Sequence, residues 1–153
     1  MIYLDHNATT PVDPAVADKM YAFLKEHFGN PSSLYPIGRK VKELLNEARE
    51  RVAEGLGAER GEIYFTGSGT EADNFAVFGV VDAFPERNEL IVSAIEHPAI
   101  IESAKELERK NVKVTFLPVD SYGTVDLDAL RDALTVRTAL VSVMHASNEI
   151  GTI

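Results

Sequence analysis

Residues 89–117 read ELIVSAIEHPAIIESAKELERKNVKVTFL, and this stretch decides the fold. Glu89 to Ala94 is a nearly continuous apolar run of strand length. A run without polar alternation is buried on both faces, as the strands of parallel sheets are. Pro98 then opens a helix that runs to Lys110, because proline suits the first helical position. Val112 to Leu117, rich in β-branched residues, is a second strand. Strand, helix, strand over about thirty residues is the unit that joins two parallel strands by a crossover.

The alternation continues in both directions. Upstream, a strand is expected at Glu62 to Thr66 and a helix from Thr70 to Phe84. Downstream, Asp126 caps a short helix to about Leu134, and Thr138 to Met144 is a strand. The fold class is therefore α/β, a mostly parallel sheet with helices on both faces. Two helices precede it. Asp13-Pro14 is an N-cap and first helical residue, and that helix runs to about Phe28, where Gly29 stops it. A long amphipathic helix follows from about Ile37 to Leu56. Its apolar residues Val41, Leu44, Leu45, Ala48, Val52 and Leu56 recur at steps of three and four, and Gly57 closes it. Met1 to Val12 is a short extended arm.

Ligands of such sheets bind at the carboxyl ends of the strands. Three tips fall there: Thr66–Thr70, Ile95–Ala99 and His145–Gly151. In the first, Thr66-Gly67-Ser68-Gly69-Thr70-Glu71 leads from a strand into a helix. Free N–H groups, a partial positive charge and the Ser68 and Thr70 hydroxyls suit a phosphate monoester. An ordinary turn in which Thr70 merely caps fits the spacing equally well. It is neither a Walker loop nor the dinucleotide fingerprint. The second tip holds Glu96-His97, whose ring suits stacking on an aromatic ligand or proton exchange near neutral pH. A loop histidine bonded to nearby backbone is the plainer alternative. In the third, Asn148 offers both a donor and an acceptor, unless the segment is only a polar turn ended by Gly151. Two further segments stand out, Asp5 to Pro11 and Gly29-Asn30-Pro31-Ser32-Ser33, each readable as an arm or a plain loop. Glu102, Glu106 and Glu108 read as a solvated helix face.

Composition narrows the classes. The chain has 153 residues, no cysteine and a formal charge of −9. Without cysteine there is neither a disulfide frame nor a thiolate metal site, and no histidine pair has helical ligand spacing, so no metal is expected. The net negative field disfavours a nucleic-acid partner. No apolar run approaches the roughly 18 residues of a membrane span. The first residues lack the pattern of a secretory signal, which makes a cytoplasmic location the expectation.

Taken together and in order, Leu4-Asp5-His6-Asn7-Ala8-Thr9-Thr10-Pro11, Gly29-Asn30-Pro31-Ser32-Ser33, Phe65 to Asn74, Glu96-His97 and Asn148-Glu149-Ile150-Gly151 resemble the cysteine desulfurases of the NifS/IscS type, over the whole chain. The resemblance implies a partial large domain of a fold-type I, aspartate aminotransferase-like enzyme, with residues 1–14 as an N-terminal arm and 15–153 as the first part of the domain that binds pyridoxal 5′-phosphate. It implies that Gly69 and Thr70 hold the cofactor phosphate, and that His97 stacks on the ring and moves protons. Asn148 would lie beside the phenolic oxygen and the substrate carboxylate, and Ala8 and Thr9 near the substrate entrance. The Gly29–Ser33 loop would lie near the active site and a dimer interface.

The implied reaction takes sulfur from L-cysteine, leaving alanine and an enzyme persulfide that feeds iron–sulfur clusters or thio-cofactors. A homodimer and sulfur-acceptor scaffold proteins are the implied partners. The phosphate turn departs mildly from the family's usual Ser-Gly-Ala-Thr. More seriously, the family's Schiff-base lysine, ring-pairing aspartate, carboxylate-binding arginine and catalytic cysteine all lie further on. The chain alone is therefore expected to be inactive, as a fragment or one half of a split enzyme. A related selenocysteine lyase and a non-catalytic partner subunit are the alternatives.

Overall fold

A computed structural model describes residues 2–153, and these form two compact units, one ending at Phe65 and one spanning Thr66–Ile153. In the first unit, α1 (Pro14–Glu26) starts at Asp13, whose Oδ1 accepts the N–H groups of Ala15 and Val16. Helix α2 (Pro36–Leu56) ends at Gly57, which takes the left-handed conformation (φ 66°) that terminates helices. Between them, the Gly29–Ser33 loop folds onto the start of α2. A Cβ on Gly38 would lie 2.4 Å from Asn30 O, so only glycine permits that approach.

The expected strand at Glu62 to Thr66 does not form. Arg60–Glu62 is a single turn of 3-10 helix, and the residues after it join no ladder. An extended segment becomes a strand only when a neighbour accepts its backbone bonds, and this one makes no such pairing among the described residues.

The second unit carries a three-stranded sheet in the order β2-β1-β3. Its elements are α3 (Gly69–Ala83), β1 (Glu89–Ser93), α4 (Pro98–Arg109), β2 (Lys113–Leu117), α5 (Leu127–Ala133) and β3 (Thr138–Ser142). Both pairings are parallel, with Leu90 opposite Val114 on one side and Leu140 on the other. The central strand β1 is buried at every position, as its unbroken apolar run requires. The chain steps from β1 to β2 on one side, then back past β1 to β3. By the right-handed rule for such crossovers, steps in these two directions put the connecting helices on opposite faces.

Val77, Leu90, Val92, Ile100, Ala104, Leu107 and Val112 form the core where α3 and α4 cover the sheet. At the opposite end from the strand tips, Glu89 is almost fully buried. Its carboxylate accepts the Thr135 hydroxyl at 2.8 Å and lies 3.6 Å from Lys113 Nζ. The Thr135 hydrogen bond, then Lys113, holds this carboxyl below its ordinary range.

Candidate active site

At the first tip, Ser68 rather than Thr70 is the helix cap. Its Oγ accepts the Glu71 N–H at 3.1 Å, while Glu71 reaches back to the Gly67 N–H at 2.6 Å. The cap leaves the N–H groups of Gly69 and Thr70, and the Thr70 hydroxyl, without partners among the described residues. An ideal Cβ on Gly69 would meet nothing within 4 Å, so the approach to these donors is open. Two free N–H groups and a hydroxyl at the positive end of a helix match the donor set a phosphate dianion needs.

Asn74 ties this turn to the next. Its Nδ2 donates to Thr70 O at 2.8 Å, and its Oδ1 lies 3.2 Å from the Ser103 hydroxyl on α4. The result is a cleft of about 440 Å³ lined by Thr70, Asn74, His97, Glu102 and Ser103. The acidic side of α4 is paired: Glu102 with Lys105 at 2.7 Å, and Glu106 with Arg109 at 3.0 Å. The Lys105 hydrogen bond holds the Glu102 carboxyl below its ordinary range. Glu102 and Glu106 therefore rim the cleft as well as forming part of a solvated face.

His97 is the N-cap of α4, and its Nδ1 accepts the Ala99 N–H at 3.1 Å. An accepting Nδ1 has no hydrogen, so the neutral ring carries its proton on Nε2. The plainer reading, a histidine bonded to nearby backbone, is what forms; the cap occupies Nδ1 and leaves Nε2 without a partner among the described residues. His97 also lines a second cleft of about 250 Å³, with Ile95, Glu96, Met144, Ser147 and Asn148. It is shared by both clefts, one shown to Thr70 and one to Asn148. Thr70 and Asn148 do not meet directly.

Asn148 is exposed on a turn braced from below. Ser147 is buried, its carbonyl accepts the Gly151 N–H at 2.8 Å, and its N–H donates to Thr152 O at 2.9 Å. The Thr152 hydroxyl donates to Tyr122 O. Gly123 has φ +84°, and a Cβ there would fall 2.4 Å from Ile150 Cδ1, so a side chain at Gly123 would displace the turn that carries Asn148. The supporting hairpin is shaped by Asp120, whose Oδ1 accepts the N–H groups of Thr124 at 2.9 Å and Tyr122 at 2.8 Å. These bonds hold its carboxyl below the usual range. Sequence reading passed over Asp120, Gly123 and Ser147, although Asp-x-x-Gly is a recognisable turn signal.

Ala8 and Thr9 belong to the first unit. They sit in a turn closed on Asp5 O, with Tyr3 Oη 3.1 Å from Thr9 O. Among the described residues there is no cluster of three or more potential metal ligands, and no helix long and apolar enough to cross a membrane.

Polar turns follow β1 and β3 at the carboxyl ends of the parallel sheet, and a third turn, at the start of α3, keeps free N–H groups of the kind an anionic small molecule would need. Comparison with known proteins makes the class specific. The aminotransferase class-V family matches residues 2–153, and the chain belongs to that family. Cysteine desulfurase IscS of Clostridium botulinum is 49% identical over 153 residues, covering 99% of this chain and 38% of that protein. Among solved structures, a NifS-like protein superposes with a TM-score of 0.90 at 40% identity, over 96% of this chain and 41% of that one. A structure described as SspA in complex with cysteine gives a TM-score of 0.91 at 31% identity, over 97% and 43%. The chain thus spans about two-fifths of the length of the proteins it matches.

Proposed function

We propose that the chain supplies one wall of a pyridoxal 5′-phosphate site in a cysteine desulfurase, acting on L-cysteine together with the remaining length that its relatives possess. The observation that carries this reading is the position of His97, shared between the cleft lined by Thr70 and the cleft lined by Asn148. A phosphate held at Gly69 and Thr70 and an aromatic ring against His97 use the two clefts as one site. The bound cofactor would supply an electron sink for chemistry at the amino acid's α-carbon. Around it, Thr70 would donate to the phosphate, and His97 would stack on the ring and move a proton at Nε2. Asn148 would donate to the phenolic oxygen or the substrate carboxylate.

Lacking cysteine, the chain cannot itself carry a persulfide, so the sulfur acceptor lies elsewhere in the assembly. The arm of residues 1–14, with Ala8 and Thr9, would border the substrate entrance of the assembled enzyme, and 15–153 would form the first part of its large domain. A cytoplasmic homodimer passing sulfur to scaffold proteins for iron–sulfur clusters completes the reading.

The test mixes this chain with the remaining part of a relative, then measures cofactor retention and alanine formation from cysteine. Activity is expected only in the mixture, and a fully inactive mixture that also fails to hold cofactor would sink the proposal. Thr70→Ala should chiefly weaken cofactor retention, by roughly 1.5–3 kcal/mol for a charge-assisted bond. At position 97, alanine would also remove the helix cap. His97→Asn keeps a capping acceptor and should hold cofactor while slowing turnover on the order of a hundredfold or more. Normal turnover in that variant would strip His97 of its proton-moving role.

A further inference from the structure

We infer that Glu96 is a positioning residue, a carboxylate staple that joins two strand tips and so fixes His97 against Asn148; the inference rests on the reading above. One oxygen, Oε1, accepts both the Ser93 hydroxyl at 2.9 Å and the Met144 N–H at 2.6 Å. Ser93 is the fully buried last residue of β1, and Met144 lies just past the end of β3. The parallel ladder between these strands ends at Val92 and Ser142. Beyond it the β1–β3 register has no further backbone pairing, and the Glu96 carboxylate bridges the gap.

The location matters because both walls of the second cleft begin there. His97 follows Glu96 directly, and the turn carrying Asn148 begins three residues after His145, itself next to Met144. His97 is then held twice, through its own Nδ1 to Ala99 N–H and through the backbone that Glu96 anchors. A charged acceptor gives shorter and stronger bonds than a neutral one, so two donors on one oxygen make a stiff joint. Free of this joint, no hydrogen bond among the described residues would tie the two tips to each other, and each would keep only its own supports. A misplacement on the order of 1 Å in a reacting group costs up to about a hundredfold in rate.

The test compares Glu96→Ala and Glu96→Gln in the complex of this chain with the remaining part of a relative. Before cofactor is added, amide exchange at Met144 should quicken about tenfold in Glu96→Ala, which removes its acceptor. Glu96→Gln, which keeps an oxygen at the same reach, should restore most of the protection. With pyridoxal phosphate bound, the visible circular dichroism per bound cofactor should fall in Glu96→Ala, and kcat should drop by up to about a hundredfold with cofactor content retained. The Gln variant should recover both.

Wild-type exchange at Met144 together with wild-type dichroism in Glu96→Ala would overturn the inference. If Glu96→Ala loses the protection of β1 itself, Ser93→Ala replaces it. That variant removes one donor and leaves Met144 bonded, so it should give a smaller loss of dichroism, and no loss would count against the staple. A wild-type complex that binds no cofactor would refute the desulfurase reading instead, and the Met144 exchange comparison would still decide the role of Glu96.

Discussion

The two units differ in what they bury. In the second, a whole strand, Leu90 to Ser93, is closed off, and α4 turns Ala99, Ile100, Ser103, Ala104 and Leu107 inward. In the first, α1 buries nothing, and Met20, Tyr21, Leu24 and Phe28 stay exposed. Only Gly38, Val41 and Ala53 of α2 are buried. Both regions have clear helix caps and apolar periodicity, so local sequence signals are equally good in each. What separates them is the closing of a core, which comes from strand pairing and crossover packing rather than from helix propensity. Helix α1 has an apolar surface that its own unit does not cover, and uncovered surface of this kind drives association.

The largest effect expected from this difference is in amide exchange. Along the 153-residue chain, the amides of β1 should exchange slowest, through global opening, and those of α1 fastest, through local fraying. Mass-spectrometric exchange resolves the two, and equal protection of α1 and β1 would erase the distinction. The chain by itself should also self-associate through its exposed apolar residues. A monodisperse monomer in sedimentation, unfolding in one cooperative step, would show that the first unit closes its core after all.

Substitutions sharpen the contrast. Leu90→Ala should cost about 2–5 kcal/mol in chemical denaturation, as buried leucine truncations do. Leu24→Ala, at a position 73% exposed, should stay within about 0.5 kcal/mol. A large loss at Leu24 would mean that α1 is packed in solution.

Much of this was legible in the residues. Every helix from α1 to α5 and the three strands of the sheet fall where periodicity, caps and β-branched runs place them, within a residue or two at most ends. The segment after Glu62 did not, because an apolar run of strand length cannot report whether a neighbour exists to pair with it. The site divides in the same way. Gly69, Thr70, His97 and Asn148 are candidates nameable from turn chemistry and resemblance. The contacts that hold them, Glu96 to Met144 and Gly123 against Ile150, join residues distant in sequence and are set by the fold. Spacing alone leaves Thr70 readable as a helix cap or as a phosphate donor; Ser68 is the cap, and Thr70 is thereby left free to donate.

A smaller effect distinguishes the two ends of the sheet by pH. Glu89 has its folded-state pKa lowered by Thr135 and Lys113. Its stabilising contribution is therefore fully present above the unfolded carboxyl value and is lost as pH falls through the lowered folded value. Glu89→Gln should destabilise the chain near neutral pH, and the gap to wild type should shrink with acidification. Denaturation midpoints across pH 3 to 7 test this, and a gap independent of pH would assign the loss to packing alone.

A further small effect is expected at Asn111, among the described residues the one non-glycine with positive φ, at 67°. It follows α4, where the Asn111 N–H donates to Glu108 O at 3.0 Å and the Val112 N–H to Leu107 O at 3.0 Å. This is the left-handed closing turn that usually recruits glycine. Asparagine tolerates the conformation better than most residues, so the strain left to relieve is small. Glycine also widens the unfolded ensemble, which offsets part of the gain. Asn111→Gly should therefore raise stability by under about 1 kcal/mol, and Asn111→Ala should lower it by about as much or slightly more. Both turns of the comparison matter, because α4 presents His97 at its other end. If Asn111→Ala changes stability while the exchange of Ala99 N–H stays fixed, the two helix ends are independent. Loosening at Ala99 would show that the helix transmits a defect along its length to the site.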